Sequence, residues 1–279
     1  MMKILIAGCG YVGSALAVRL LEEGHDVWGL KRHSAGLPLG IKPVVADLAC
    51  VDSLTSLPSN LDSVFYLASA DAIDDSAYRA AYVDGIKNLV TALKGQTIRR
   101  FFFISSTRVY SQKNGEWVDE ATATNPVTFA GQRLLEGEQI ALNAPWSATV
   151  VRFGGIYGPG RAGLIDRIRE GKTILKEGPP VYTNRIHVDD CAAVLHHLMT
   201  LKSPADLYLA VDCEPAEQKE VYGWIAARLG VPAPVVGKKE PTAYESRGES
   251  NKRCRNNRLL ATGYKFLYPT FREGYGSLI

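Results

Sequence analysis

The chain has 279 residues, of which 46% are apolar and 22% are charged, and its formal net charge at pH 7 is +3. This composition supports a substantial buried core, and so small a charge gives no reason to expect binding to nucleic acid or to an anionic membrane surface. No apolar run approaches the ~20 residues that a membrane span requires. The five cysteines are scattered without a C-x-x-C pair, which indicates free thiols in a reducing compartment and no metal site. We therefore expect a cytoplasmic protein.

The first half of the chain alternates between short apolar runs and segments with apolar residues at helical spacing. Nearly continuous apolar strands that alternate with helices predict a parallel sheet buried on both faces, which is a doubly wound fold of the Rossmann type. Such folds bind ligands at the carboxyl ends of their strands. Strands are predicted at 3–7, 26–30, 42–46, 63–67, 100–104 and 148–152, and helices at 12–23, 76–93 and 131–142.

The pattern becomes irregular beyond residue 152, where glycine and proline clusters separate short elements. The segment 185–190 and the apolar helix that follows it are predicted to return to the main sheet. The stretch 212–279 is more polar and is predicted to form a small α+β substrate lobe that lies over the cofactor. We assign 1–152 plus 187–210 to the dinucleotide-binding domain, and 153–186 plus 211–279 to this small substrate lobe.

A glycine fingerprint follows the first predicted strand and opens the first helix. Gly8 permits the tight turn, Gly10 lets the backbone approach a pyrophosphate, and Gly13 lets helix and strand pack closely. The helix N-terminus, beginning with Tyr11 and Val12, would face the phosphates with free N–H groups and a partial positive charge. Glycines used for packing alone are the alternative, but the strand-turn-helix context favours a dinucleotide site.

The end of the second strand indicates which dinucleotide is preferred. It carries Lys31 and Arg32 and no acid. A carboxylate there would repel a 2′-phosphate, whereas an arginine can bind it with a bidentate, charge-assisted pair of hydrogen bonds. This favours NADP, with NAD still open, and a solvated loop is the alternative. Asp47 and Leu48 follow the third strand, where an acid can accept from the adenine amino group.

With these motifs the chain resembles the extended short-chain dehydrogenase/reductase superfamily, the group of NAD-dependent epimerases and dehydratases. The resemblance covers nearly the whole chain and implies a cofactor site lined also by the residues after the fourth strand. The matching segments, besides the glycine fingerprint and Asp47-Leu48, are Leu67-Ala68-Ser69, Ile104 to Tyr110, Arg152 to Gly160 and His187-Val188-Asp189-Asp190.

The resemblance places a substrate-binding hydroxyl at Ser106, with Thr107 as a neighbouring candidate and Ser105 beside the cofactor. A hydroxyl can both donate and accept, as is required of a group that binds the oxygen of an alcohol or carbonyl during its interconversion. The alternative is that these serines only satisfy backbone groups at the end of a strand. Tyr110 is the ionisable aromatic residue predicted nearest to Ser106, so it could supply a proton, although a packing role is the simpler interpretation.

The chain departs from the family at its Tyr-x-x-x-Lys motif. Phe129 stands where the resemblance expects the tyrosine, and Arg133 stands where it expects the lysine. Phenylalanine cannot transfer a proton, whereas arginine can still donate to ribose hydroxyls, so both are predicted to contact the cofactor without catalysing. The chain is thus predicted to belong to an atypical branch that lacks the usual dyad.

Two functions are consistent with these observations. The first is an NADP(H)-dependent oxidoreductase, epimerase or dehydratase that acts on a sugar-like or nucleotide-sugar substrate. The second is a non-catalytic NADP(H)-binding sensor or regulatory protein. By analogy with relatives alone, the predicted helices 76–93 and 131–142 suggest a homodimer.

Overall fold

In a computed structural model, which describes residues 1–237 and 250–279, strands and helices follow the predicted alternation through the first half of the chain. The described strands are β1 (Lys3–Ala7), β2 (Asp26–Lys31), β3 (Lys42–Val45), β4 (Ser63–Tyr66), β5 (Arg100–Ser106), β6 (Glu116–Val118), β7 (Ala148–Phe153), β8 (Gly155–Tyr157), β9 (Leu175–Lys176), β10 (Arg185–His187), β11 (Leu207–Ala210), β12 (Val236–Gly237) and β13 (Lys252–Cys254). The described helices are α1 (Tyr11–Glu22), α2 (Asp75–Arg79), α3 (Gly85–Ala92), α4 (Phe129–Leu142), α5 (Gly163–Arg169), α6 (Val188–Thr200), α7 (Gln218–Leu229), α8 (Asn257–Leu260) and α9 (Phe271–Gly276).

The central sheet is parallel throughout and has the strand order β11-β7-β5-β4-β1-β2-β3. The chain order reverses between β1 and β4, because β2 and β3 extend to one side while β4, β5, β7 and β11 extend to the other. Ligands of doubly wound folds bind at this reversal, outside the carboxyl ends of the strands. The glycine fingerprint directly follows β1, so it lies at that position. The predicted doubly wound fold is confirmed.

Helices cover both faces of the sheet and bury it in two separate clusters. On one face α1 and α6 pack against the strands around Ile4, Ile6 and Phe102. On the other face, α3 and α4 cover Leu5, Phe101 and a neighbouring phenylalanine, Phe103. Consecutive residues of one strand therefore point to opposite, equally apolar layers, which explains why β1 and β5 are apolar without alternation.

The structure differs from the predicted elements in one strand of the main sheet and in one helix. The segment Arg185–His187 does not return to the main sheet, because β10 pairs with β8 in a separate two-stranded sheet. The seventh strand of the main sheet is β11, which follows α6 and pairs with β7. The predicted helix 76–93 contains one turn of π-helix at Ala80–Asp84. There the hydroxyl of Tyr66 donates to the carbonyl of Ala81, so a buried strand residue binds the wider turn.

The helices α5, α7 and α9 share a further apolar cluster beside the sheet, built around Ile165, Ile225 and Phe271. Short parallel pairs, β9 with β12 and β6 with β13, complete this part of the described structure. The division into two domains stays a prediction, and its small lobe includes residues 238–249, which lie outside the described residues. Within the described ranges, no helix is both long enough and apolar enough to cross a bilayer.

Candidate functional site

A cleft of about 1350 Å³ lies at the carboxyl ends of β1, β2, β4, β5 and β7. Pockets for one small ligand have roughly 300–1000 Å³, so this cleft has room for more than one such molecule. Most of the predicted cofactor-binding residues are brought together on its wall, although they come from five segments of the chain. They are Gly8, Gly10, Tyr11, Val12, Gly13, Lys31, Arg32, Asp47, Leu48, Leu67, Ala68, Ser69 and Ser105.

The three glycines of the fingerprint differ in what surrounds them. Gly8 has φ +91°, and a Cβ there would lie 2.4 Å from the backbone nitrogen of Ala68. A Cβ on Gly13 would lie 3.0 Å from the carbonyl oxygen of Gly8, so this glycine lets α1 pack on the loop. Gly10 precedes α1, a Cβ there would lie 3.9 Å from its nearest neighbour, and no side chain of the described residues caps the helix. Its open side and the uncapped N–H groups suit a pyrophosphate.

The end of the cleft beside β2 contains both cations found at the end of that strand, but Arg32 already has a partner. Its guanidinium binds the carboxylate of Asp71 through two hydrogen bonds of 2.7 Å. Lys31 donates to the carbonyl of Ala35, 3.1 Å away. Asp71 was not identified from the sequence, since it follows β4 and no local pattern links it to Arg32.

The two serines at the end of β5 have different roles in the structure. Ser105 donates to Oε1 of Glu138 at 2.6 Å and belongs to a buried network. Ser106 lines the cleft, and its Oγ accepts the backbone N–H of Arg108 at 3.3 Å. Because Ser106 accepts in this bond, its hydroxyl proton is available to a ligand oxygen. The geometry therefore favours Ser106 over Ser105 as the substrate-binding hydroxyl.

Thr107 and Tyr110, the other predicted catalytic residues, are buried and do not line the cleft. The hydroxyl of Tyr110 donates to the carbonyl of Asp119 and accepts from Arg152, both at 2.7 Å. Burial raises the pKa of Tyr110 strongly, and the neighbouring charge of Arg152 offsets only part of this. The structure therefore does not support Tyr110 as a substitute acid, because its hydroxyl is committed to the core.

The predicted cofactor contacts of Phe129 and Arg133 also require correction, because neither residue lines the cleft. The ring of Phe129 packs edge-on against Tyr78. Arg133 binds Asp75 through two hydrogen bonds of 2.7 and 2.9 Å, and these bonds raise the pKa of its guanidinium. Both side chains thus face α2.

The face of α4 next to the cleft carries different residues. Leu134 lines the cleft, Ala130 lies one turn before it and is fully buried, and Glu138 lies one turn after it and binds Ser105. Residues four apart share a helix face, so Ala130, Leu134 and Glu138 lie along the face of α4 that packs on β5 beside the cleft. Neither Ala130 nor Leu134 is ionisable. This helix face therefore offers no proton-transferring pair, whether Phe129 or Ala130 is taken as the residue in place of the family's tyrosine.

Besides Arg32, four arginines line the cleft, a feature that the sequence analysis missed. The only carboxylates that line the cleft within the described residues are Asp47, which follows β3, and Asp71, which follows β4. The arginines come from loops and helices far apart in the chain, so no local pattern groups them. They are Arg108, Arg161, Arg167 and Arg185.

Two of these arginines are held by aromatic residues. Arg161 stacks on the ring of Tyr11, 4.6 Å from its centroid, and the hydroxyl of Tyr11 donates to the carbonyl of Pro159. Arg185 is 5% exposed and lies 5.9 Å from the ring of Tyr275. Within the described residues, Nη1 of Arg185 has no hydrogen-bond partner. A buried guanidinium with an unpaired donor at the wall of a cleft is suited to an anionic ligand group.

Asp212 lies behind Arg185 and is 2% exposed. Burial raises the pKa of this carboxyl to about 8, although the charge of Arg185 opposes the shift. Between pH 4 and 8 the folded protein therefore holds a proton on Asp212 that the unfolded chain has lost. Because of this difference, the free energy of unfolding falls as the pH rises through this range. We expect Asp212→Asn to gain stability relative to the parent protein by up to ~1 kcal/mol per pH unit over this range. Urea unfolding from pH 5 to 9 measures the difference, and parallel curves for the two proteins would contradict the prediction.

Comparisons with known proteins agree with this fold and cleft. A model of the NAD dependent epimerase/dehydratase family matches residues 4–209. The YeeZ protein of Escherichia coli K12 is 30% identical over 249 residues, which cover 84% of this chain and 86% of YeeZ. A structure from Methylobacillus flagellatus, assigned to the NAD-dependent epimerases/dehydratases, is 38% identical with a TM-score of 0.82, covering 99% of this chain and 97% of its own.

The UDP-glucuronic acid 4-epimerase of Bacillus cereus, solved with UDP-glucuronic acid and NAD, has a TM-score of 0.82 at 22% identity, covering 99% of this chain and 97% of its own. At that identity the likeness concerns the fold alone. The family match, by contrast, spans the glycine fingerprint, the serine strand and the main sheet in one continuous range. This chain belongs to the NAD-dependent epimerase/dehydratase family of extended short-chain dehydrogenases/reductases.

Proposed function

We propose that this protein is an NADP(H)-dependent oxidoreductase of the epimerase/dehydratase type that acts on an anionic, sugar-like substrate such as a nucleotide sugar. The observation that carries the proposal is that one continuous cleft is lined both by the glycine loop and by four further arginines, of which Arg161 stacks on Tyr11 of that loop. A dinucleotide on the glycine loop leaves Arg108, Arg167 and Arg185 for a second, negatively charged molecule. The Bacillus cereus enzyme, which binds UDP-glucuronic acid and NAD, is an example of this division on the same fold.

The cofactor, when bound, would accept or donate a hydride, and the residues of this chain would position the substrate. Ser106 can donate a hydrogen bond to the substrate oxygen bonded to the carbon that is oxidised or reduced. Arg108 follows two residues later in the same wall, so an anionic substrate group can be held near that hydroxyl. Since α4 presents no ionisable side chain at Ala130 or Leu134, the proton would come from water or from the substrate itself, and Ser106 would contribute only its hydrogen bond. Loss of a positioned acid/base typically slows a reaction by about 10²–10⁴.

The same apolar face of α4 favours a second candidate, a non-catalytic NADP(H) sensor. Such a protein would bind and discriminate the oxidised and reduced cofactor without turnover. A screen of NADPH oxidation with aldehydes, ketones and nucleotide sugars separates the two candidates. A steady-state rate that depends on protein concentration and falls in Ser106→Ala supports the enzyme, and the absence of any rate with tight cofactor binding supports the sensor.

The cofactor is tested by calorimetric titration of the parent protein and of Arg32→Gln with NADPH and with NADH. We expect the parent protein to prefer NADPH and the variant to lose about tenfold or more in NADPH affinity, with NADH affinity changed by less than about twofold. The reason is that only NADPH carries the 2′-phosphate that the guanidinium can bind.

Arg169→Gln is the matched control, since Arg169 is an exposed arginine paired with Asp166 at 2.7 Å and does not line the cleft. It should leave both affinities unchanged. Equal losses for both cofactors in Arg32→Gln would contradict the NADP assignment, and no binding of either cofactor by the parent protein would remove the proposed function.

A further inference from the structure

We propose that Asp71 determines how strongly the protein discriminates between NADP and NAD, because it occupies the guanidinium of Arg32 that a 2′-phosphate would bind. The proposal rests on the proposed cofactor and names a selectivity residue that the sequence alone did not indicate. Both residues line the end of the cleft beside β2, where the adenosine of the proposed cofactor would bind; this part is called the adenosine end.

The ion pair joins two strands that flank β1. Arg32 follows β2 and Asp71 follows β4, and β1 lies between these strands in the sheet. Both oxygens of the carboxylate accept from the guanidinium, Oδ2 from Nη1 and Oδ1 from Nη2, each at 2.7 Å. Both side chains line the cleft. The planar fork of Arg32, which suits a phosphate, is therefore filled by a carboxylate of its own chain.

This pair is exposed enough to open for a ligand. The side chains of Arg32 and Asp71 are 53% and 65% exposed, and exposed ion pairs contribute little net stability because water competes for both charges. The hydrogen bond to Asp71 is nonetheless the largest influence on the Arg32 guanidinium, and it raises the pKa of that group. A phosphate dianion can therefore displace the carboxylate, but it must compete with it.

Asp71 also supplies the acid that is missing at the end of β2. NAD-binding folds of this type offer a carboxylate to the ribose 2′-hydroxyl at that position. Here the carboxylate reaches the adenosine end from the loop after β4. It can accept from a 2′-hydroxyl and it repels a 2′-phosphate, so it opposes the preference that Arg32 creates. Together the two residues give a moderate preference for NADP over NAD, and removal of the Asp71 carboxylate should make that preference strong.

The test is Asp71→Asn, which keeps the size of the side chain and removes its charge. We expect NADPH to bind about five- to tenfold more tightly and NADH to bind equally or more weakly, so that the ratio of the two dissociation constants rises about tenfold. In the Arg32→Gln background the same substitution should still raise the ratio, because the carboxylate repels a 2′-phosphate with or without Arg32, and only the part of the effect that comes from competition for the guanidinium should be absent. Asp71→Ala should shift the ratio in the same direction.

Asp26→Asn is the matched control, because Asp26 forms an exposed ion pair with Lys42 at 2.6 Å but lies at the opposite end of β2 and does not line the cleft. It should leave the ratio unchanged. An unchanged or lower ratio in Asp71→Asn, with NADPH still bound by the parent protein, would overturn the role of Asp71 and leave the proposed function standing. No binding of either cofactor by the parent protein would overturn both.

Discussion

Replacement of Glu138 by alanine is expected to lower the free energy of unfolding by about 3–5 kcal/mol. Glu138 is 2% exposed and accepts two hydrogen bonds from Arg152, at 2.9 and 2.6 Å. The same carboxylate accepts the hydroxyl of Ser105. Its removal leaves the guanidinium of Arg152, which is 4% exposed, as an uncompensated charge in the core between α4 and the sheet.

The matched control is Glu136→Ala on the same helix. Glu136 is 43% exposed and pairs with Arg133, so its loss should cost no more than about 1 kcal/mol. Urea unfolding of the two variants measures the difference directly. A double variant, Glu138→Leu with Arg152→Met, should recover much of the loss, because a buried pair is often replaceable by apolar residues of similar volume. Equal costs for Glu138→Ala and Glu136→Ala would show that the buried charge is not the cause.

The parts of the fold that depend on local sequence were predictable. The runs at Lys3–Ala7 and Arg100–Ser106 are apolar over consecutive residues because each strand is covered on both faces, and that pattern is visible in the sequence itself. The glycine loop was predictable for the same reason, since a strand, a turn and a helix that share a few residues fix its geometry.

Which side chains of α4 line the cleft could not be predicted from the sequence in the same way. Successive residues of a helix point about 100° apart, so a shift of one residue places Leu134 instead of Arg133 at the cleft. The same shift places Ala130 instead of Phe129 on the fully buried face. The packing of α4 on β5 decides that rotation, and the hydrogen bond from Ser105 to Glu138 is one of its contacts. The sequence motif alone does not contain this information.

The contacts between distant segments were equally hidden. Asp71 reaches Arg32 because β4 and β2 flank the same strand, and Arg185 is buried because β10 pairs with β8 instead of joining the main sheet. Lys31 and Arg32 have no acid beside them in the sequence, but in the folded protein Asp71 contacts Arg32. The charge balance of a site therefore depends on topology as much as on composition.

Replacement of Gly8 by alanine is expected to destabilise the protein by about 2–5 kcal/mol and to abolish detectable cofactor binding. Two effects act together at this position. The backbone has φ +91°, a conformation that costs an L-residue about 1–2 kcal/mol. In addition, the new Cβ would lie 2.4 to 2.7 Å from backbone atoms of Leu67 and Ala68, which cannot move away as a flexible side chain would.

Gly24→Ala separates these two effects, because Gly24 has φ +76° but nothing within 4 Å of the Cβ position. It should cost only the conformational part, about 1–2 kcal/mol, and leave cofactor affinity unchanged. Gly8→Ala should cost more, since relief of the clash must push the glycine loop away from the loop after β4, and those two segments form adjoining walls of the cleft. Thermal unfolding and NADPH titration of both variants, below their melting temperatures, make the comparison. If Gly8→Ala costs no more stability than Gly24→Ala and still binds NADPH, the loop tolerates a side chain at this position. Its close approach to Ala68 would then not shape the cofactor site.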